Sequence, residues 1–276
     1  MKDTRFLIAL AVFAFTSAVW GQAPATEPAA AAAQPAAVQP TDDADRWTFK
    51  VSIPLWLPAV DGDVTVRGRD LSMDQDTGDT FDTFDSHLNG AFLLHLEAER
   101  NRTGAFLDLM YLDIRAEGTG DVIDATGSLR GFVGELGGFY AVVPPAPGKK
   151  GWGMVEVDVL GGLRVSTLEF GINGDAFDGS TSRTTYDPFV GARVEVGLLD
   201  WLSLKARGDV GGFGIDAWPT SNFSYNVAVG TEFHIARWFD VGLGYRWLSY
   251  DFEGNANDSS FDATLAGPFV AVTFSF

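Results

Sequence analysis

The stretch FSYNVAVGTEFHI, residues 223–235, decides how the rest of the chain is read. Its positions Phe223, Tyr225, Val227, Val229, Phe233 and Ile235 are apolar or aromatic, whereas Ser224, Asn226, Ala228, Gly230, Glu232 and His234 between them are small or polar. Successive side chains of a strand point to opposite faces, so a period of two predicts a strand with one greasy and one polar side. Alternation alone does not choose between a soluble sandwich, which turns the greasy side inward, and a transmembrane barrel, which turns it outward.

The same period recurs from Arg46 onward and predicts ten strands: Trp47–Leu57, Asn89–Glu99, Ala105–Ala116, Leu129–Val142, Met154–Phe170, Phe189–Leu198, Leu202–Phe213, Phe223–Ile235, Phe239–Tyr250 and Leu265–Phe276. The links between them alternate in length. Residues 58–88, 117–128, 171–188, 214–222 and 251–264 are long; 100–104, 199–201 and 236–238 are short; 143–153 is a long link on the short side. Long loops on one side, short turns on the other and an even strand number are the signature of a single-chain transmembrane barrel. Trp47, Trp152, Trp201, Trp238 and Phe276 then gather at the short-turn end, where an interfacial belt needs a ring with an apolar body. The expected fold is therefore all-β: a closed antiparallel transmembrane barrel over residues 46–276, of ten strands, with eight or twelve as alternatives.

Ahead of the barrel, Lys2 and Arg5 precede an apolar run from Phe6 to Phe15 and small residues up to Ala23, the layout of a cleaved secretory signal over residues 1–23. Residues 24–45, rich in Ala, Pro and Gln, are expected to form a periplasmic linker. The absence of cysteine excludes disulfides, a lipoprotein anchor and thiolate chemistry, and the net charge of −18 argues against nucleic acid, whose phosphates require clustered Lys and Arg.

The chain end FVAVTFSF, residues 269–276, alternates up to a terminal phenylalanine. It resembles the C-terminal assembly signal of bacterial outer-membrane proteins, which implies that Val270, Val272, Phe274 and Phe276 are read by the barrel-assembly machinery through strand pairing. The segments DPFVGAR (187–193), GDVGGFG (208–214) and GLGYR (242–246) look like those of a broad, largely uncharacterised family of bacterial outer-membrane β-barrel proteins. That resemblance spans most of residues 46–276 and implies the fold and an outer-membrane location in a Gram-negative cell envelope; it transfers no catalytic motif.

With the apolar face on lipid, parity puts Lys50, His95, Glu97, Glu99, Glu156, Asp158, Arg164, Arg193, Glu195, Lys205, Arg207, Asp209, Glu232, His234, Asp240 and Arg246 in the lumen. Their charges nearly balance, which predicts a narrow, salt-bridged interior, because ion pairs offset the lost hydration. In the third and fourth strands the parity breaks. Asp108 and Asp113 differ, as do Arg130 and Glu135, so either a bulge shifts the register or one charge faces the rim.

Three chemical readings compete with plain structure. The pairs His95/Glu97 and Glu232/His234 would hold a metal only if they converged. The run Asp85-Ser86-His87 offers a nucleophile beside a base for a rim hydrolase of lipid or peptide, but neighbours on a strand or turn do not point together. The aspartates of the first long link, Asp70, Asp74, Asp76 and Asp79 among them, are weak candidates for gathering cations against lipopolysaccharide phosphates; a solvated acidic loop is the favoured reading of them. The expectation is a non-enzymatic outer-membrane barrel, structural or surface-interacting, with acidic outer loops, no cofactor and outer-membrane lipid and lipopolysaccharide as its surroundings. A small-solute or ion channel and the rim hydrolase are the alternatives.

Overall fold

A computed structural model describes residues 46–66, 69–74, 88–119, 124–145, 151–174, 177–215, 217–252 and 261–276. The signal and linker segments, together with Asp76, Asp79, Asp85, Ser86 and His87, lie outside the described residues. Among the described residues, twelve antiparallel strands form one sheet: β1 (Thr48–Trp56), β2 (Ala59–Val66), β3 (Arg69–Asp74), β4 (Leu88–Arg100), β5 (Thr103–Thr119), β6 (Asp124–Val143), β7 (Val155–Gly174), β8 (Phe177–Leu199), β9 (Leu202–Gly212), β10 (Phe223–Ala236), β11 (Phe239–Phe252) and β12 (Phe261–Ser275). Ten of these, β1 and β4 to β12, close a ring, because β1 pairs with both β4 and β12. The expected closed ten-stranded barrel is the fold. β2 carries the line of β1 onward along the other half of β12, and β3 folds back on β2.

The sequence reading misplaced two long links. Residues 117–128 and 171–188 are mostly strand: β5 pairs with β6 out to Thr119 and Asp124, and β7 with β8 out to Gly174 and Phe177. β8 has 23 residues, roughly 75 Å of extended chain, where about ten tilted residues suffice to cross a bilayer. The β7–β8 hairpin therefore continues well past any membrane.

Orientation follows from exposure. Phe223 and Val229 are 45% and 42% exposed on β10, while Ser224 and Asn226 between them are buried. The outer surface is a belt of uncovered apolar side chains, among them Phe49, Ile53, Leu55, Phe92, Val159, Val190, Leu204 and Val270. On β10 the belt runs from Phe223 to Phe233, roughly 34 Å along the strand, which a tilt of about 40° shortens to about 26 Å, the height of an outer-membrane apolar band. At the short-turn end Trp238 stacks on Phe274, Trp201 on Phe233 and Trp47 on Phe49.

The ambiguity in the third and fourth strands resolves without a bulge: β5 and β6 stay in continuous register. Asp108 and Glu135 face inward. Asp113 and Arg130 face outward above the apolar belt, with Arg130 3.3 Å from Asp113 and 3.6 Å from Glu169.

Candidate functional site: the filled bore

The bore holds three layers. Toward the long-hairpin end the inner face is apolar: Trp56, Val60, Leu93, Met110, Leu112, Val133, Leu168, Leu248, Tyr250, Ala263 and Leu265 form one buried cluster. This departs from the polar interior expected from parity. The inner and outer faces of β4 and β5 are both greasy there, so alternation carries no signal.

Beneath it lies a balanced charge layer. Arg164 is fully buried; its Nε donates to Glu135 at 2.8 Å, another nitrogen to Asp209, and a third to Ser224 at 3.3 Å. Arg207 reaches Glu135 at 2.6 Å, Asp108 at 2.9 Å and Asp209 at 3.2 Å. Arg246 donates Nε to Asn226 at 2.9 Å and stands 3.9 Å from Glu135. Three guanidiniums thus face three carboxylates in a space from which water is largely excluded, where removing one partner costs far more than it would at a surface.

The third layer, toward the short-turn end, is richer in acids. Lys50 lies 3.1 Å from Glu97 and 3.7 Å from Glu99, and Arg193 pairs with Glu97 and, at 2.5 Å, with Asp158. Lys205 sits between Glu195 at 3.2 Å and Glu232 at 2.5 Å. His95 meets Asp108 at 2.6 Å and so joins this layer to the one above. Glu156, opposite Glu195 in register, is the one lumen candidate with no ion pair or hydrogen bond among the described residues.

A repeated device seats the arginines. Arg193 lies 3.9 Å over the Phe139 ring, Arg207 4.9 Å over Phe106, Arg164 5.2 Å over Phe189 and Arg246 5.2 Å over Trp56. Each contact is a cation–π attraction strengthened by desolvation. The rings in turn need glycine beside them: a Cβ on Gly162 would stand 2.9 Å from Phe189 Cζ, and one on Gly137 2.7 Å from Phe106 Cε1.

The proposed chemistries fare differently. His95/Glu97 and Glu232/His234 do not converge. Glu195, Glu232 and His234 do cluster closely enough for a metal ion, but the Lys205 ammonium occupies the space between the two glutamates. Asp70 and Asp74 fall on β3. Sequence reasoning missed a Ser–His–Asp alignment across three strands: Ser203 Oγ lies 2.9 Å from His234 Nε2, and His234 Nδ1 2.8 Å from Asp240. A hydrolytic triad has this connectivity, yet Ser203 is 0% exposed, so no substrate carbonyl reaches its oxygen. Its only sequence signal was shared parity on neighbouring strands.

A closed antiparallel barrel, greasy outside and charged within, is the architecture of bacterial outer-membrane proteins. Among solved structures the chain is similar to the outer membrane protease OmpT from Escherichia coli, with a TM-score of 0.54 and 10% identity over 86% of this chain and 98% of that one. It is also matched, at lower TM-scores of 0.37 and 0.33, to the translocator domain of the autotransporter NalP from Neisseria meningitidis (14% identity; 83% of this chain, 88% of that one) and to the attachment invasion locus protein Ail of Yersinia pestis (10% identity; 83% and 98%). No protein-family model and no curated protein matches the sequence. At these identities the likeness to OmpT establishes the fold.

Proposed function

We propose that the protein is an exported, integral outer-membrane barrel of a Gram-negative-type envelope that acts through the hairpins at its long end rather than through its bore. The observation that carries this reading is the filling of the bore: an apolar cluster spans one part and ion-paired residues the rest. Ten strands leave little room once such side chains project inward. Outer-membrane lipid and lipopolysaccharide are its surroundings, and the alternating end of β12 is its handle for the barrel-assembly machinery, with Val270, Val272, Phe274 and Phe276 on the outward face. The likeness to a protease supplies no activity at 10% identity, and the buried Ser203 supports a non-enzymatic role.

Two measurements test this. Membrane fractionation is expected to recover the protein with the outer membrane, shifting on gels when heated; extraction without detergent would overturn the location. Planar-bilayer recordings are expected to stay silent with correctly folded protein; discrete conductance steps would establish the channel instead.

A further inference from the structure

β9 stops at Gly212, opposite Phe223, whereas β8 beside it runs on to Phe177. The notch this leaves in the wall is closed by the link that follows β9. Tyr186 N–H donates to the Pro219 carbonyl at 2.9 Å, Gly214 N–H to the Ser221 carbonyl at 3.0 Å and Ile215 N–H to Thr220 Oγ1 at 2.8 Å. The N–H and hydroxyl of Ser221 reach the two oxygens of buried Asp187 at 2.8 and 2.7 Å. The link hugs the strand end so closely that a Cβ on Gly212 would stand 2.7 Å from the Ser221 carbonyl oxygen.

Held this way, the link leaves its large apolar side chains uncovered. Phe213 and Trp218 are 50% and 55% exposed, and Ile215 is exposed as well. The alternation of β9, with Asp209 buried and Val210 exposed, would carry Phe213 into the bore. Instead Gly212, Phe213 and Gly214 have φ of 90°, 67° and 55°, a left-handed run that a bulky residue rarely enters. Strain that the surrounding bonds hold in place is a pointer to function.

The height of the link on the wall indicates its partner. Val165 opposite Tyr186 is the last apolar row on the outer face of β7 and β8; the next outward row is Thr167 and Thr184, whose hydroxyls bond at 3.0 Å, and beyond it Arg130 stands by Glu169. The Tyr186–Pro219 bond ties Trp218 and Pro219 to that last apolar row, and the link then runs into Phe223, the top of the belt on β10. The exposed patch is therefore continuous with the lipid-facing belt. Its three side chains are few beside the roughly 20–30 residues a side of a stable protein interface. The one charged residue of the link, Asp216, is acidic and offers head-group phosphates no cation.

We propose that the link is a membrane foot, lodging Phe213, Ile215 and Trp218 in the outer leaflet at the boundary between acyl chains and head groups. There an indole finds hydrocarbon for its ring and a polar layer for its N–H. One long link is thereby withdrawn from the hairpins offered to the outside, and the belt is completed where β9 falls short. This inference rests on the belt facing lipid, and its test separates the two.

The full-length protein, which has no native cysteine, is folded into dimyristoylphosphatidylcholine vesicles with one spin label at a time: on Ala217→Cys in the link, on Ser182→Cys farther out on the outward face of β8, or on Val190→Cys in the belt. Collision with oxygen, which concentrates in hydrocarbon, is compared with collision with a water-soluble nickel chelate. The oxygen-to-nickel ratio at 217 is expected to lie well above that at 182 and toward that at 190. A ratio equal to that at 182 would put the link in water, and shielding from both reagents would put it against protein; either result overturns the foot. A label at 190 that itself favours nickel would instead sink the membrane reading. Trp218→Ser is expected to lower the folding equilibrium constant in these vesicles about tenfold or more, the loss of one buried apolar side chain, while Trp218→Phe keeps most of it; an unchanged constant for Trp218→Ser overturns the foot as well. Heat-modifiable mobility on gels checks that the barrel of each variant is intact.

Discussion

Replacing Arg164 by Met tests whether the balanced layer holds the barrel together. The side chain is fully buried and is bound to Glu135, Asp209 and Ser224. Its removal leaves three carboxylates, Asp108, Glu135 and Asp209, facing the two guanidiniums of Arg207 and Arg246. Breaking a buried pair costs about 3–5 kcal/mol; the lower end, about 3 kcal/mol, applies here because Arg207 still reaches Glu135 and Asp209. Adding Asp209→Asn restores the balance, so the double variant is expected to be more stable than Arg164→Met alone by about 1–2 kcal/mol. Urea-dependent unfolding in lipid vesicles, followed by tryptophan fluorescence, reads both values. A cost for Arg164→Met below about 1 kcal/mol, the range of an exposed pair, or a double variant whose losses simply add, would refute the reasoning.

Gly162→Val is expected to destabilise by about 1–3 kcal/mol or to block folding, because its Cβ would stand 2.2 Å from the Leu136 carbonyl oxygen and 2.6 Å from Gly137 Cα on the neighbouring strand, as well as against the Phe189 ring that supports Arg164; refolding yield and urea midpoint measure it. A fluorophosphonate probe is expected to leave the folded protein unlabelled, since Ser203 is buried; labelling lost in Ser203→Ala would make the Ser203–His234–Asp240 alignment reactive. Lys205→Met removes the ammonium between Glu195 and Glu232, and zinc titration by calorimetry is expected to detect a new site there that the wild type lacks; equal binding by both would show that Lys205 does not guard it.

How much of this was legible depended on contrast between the two faces of each strand. In residues 223–235 one face is greasy and the other polar, and the inward set Ser224, Asn226, Glu232 and His234 is readable from the sequence alone. In β4 and β5 Leu93, Met110 and Leu112 point inward while Phe92, Leu94 and Leu109 point outward, so the apolar cluster in the bore left no trace in the pattern. The same loss of contrast hid the inward placement of Asp108 and Glu135. Residues 117–128 and 171–188 read as loops because their Gly, Ser, Thr and Asp content is that of turns; above the membrane a hairpin needs no greasy face, only ladder partners. The end of the β1–β4 ladder at Ser52 and His95, just before Pro54, is invisible in the sequence for another reason: a proline in a strand signals a missing donor, but which neighbour is deprived depends on register.

The chain has no native cysteine, so single cysteines placed from Val227 to Gly230 on β10 report on one position at a time. Each would carry an environment-sensitive fluorophore in vesicles containing brominated lipid, with the folded barrel checked on gels. The account predicts strong quenching at positions 227 and 229 and little at 228 and 230. Quenching of the even positions instead, or no alternation at all, would contradict it.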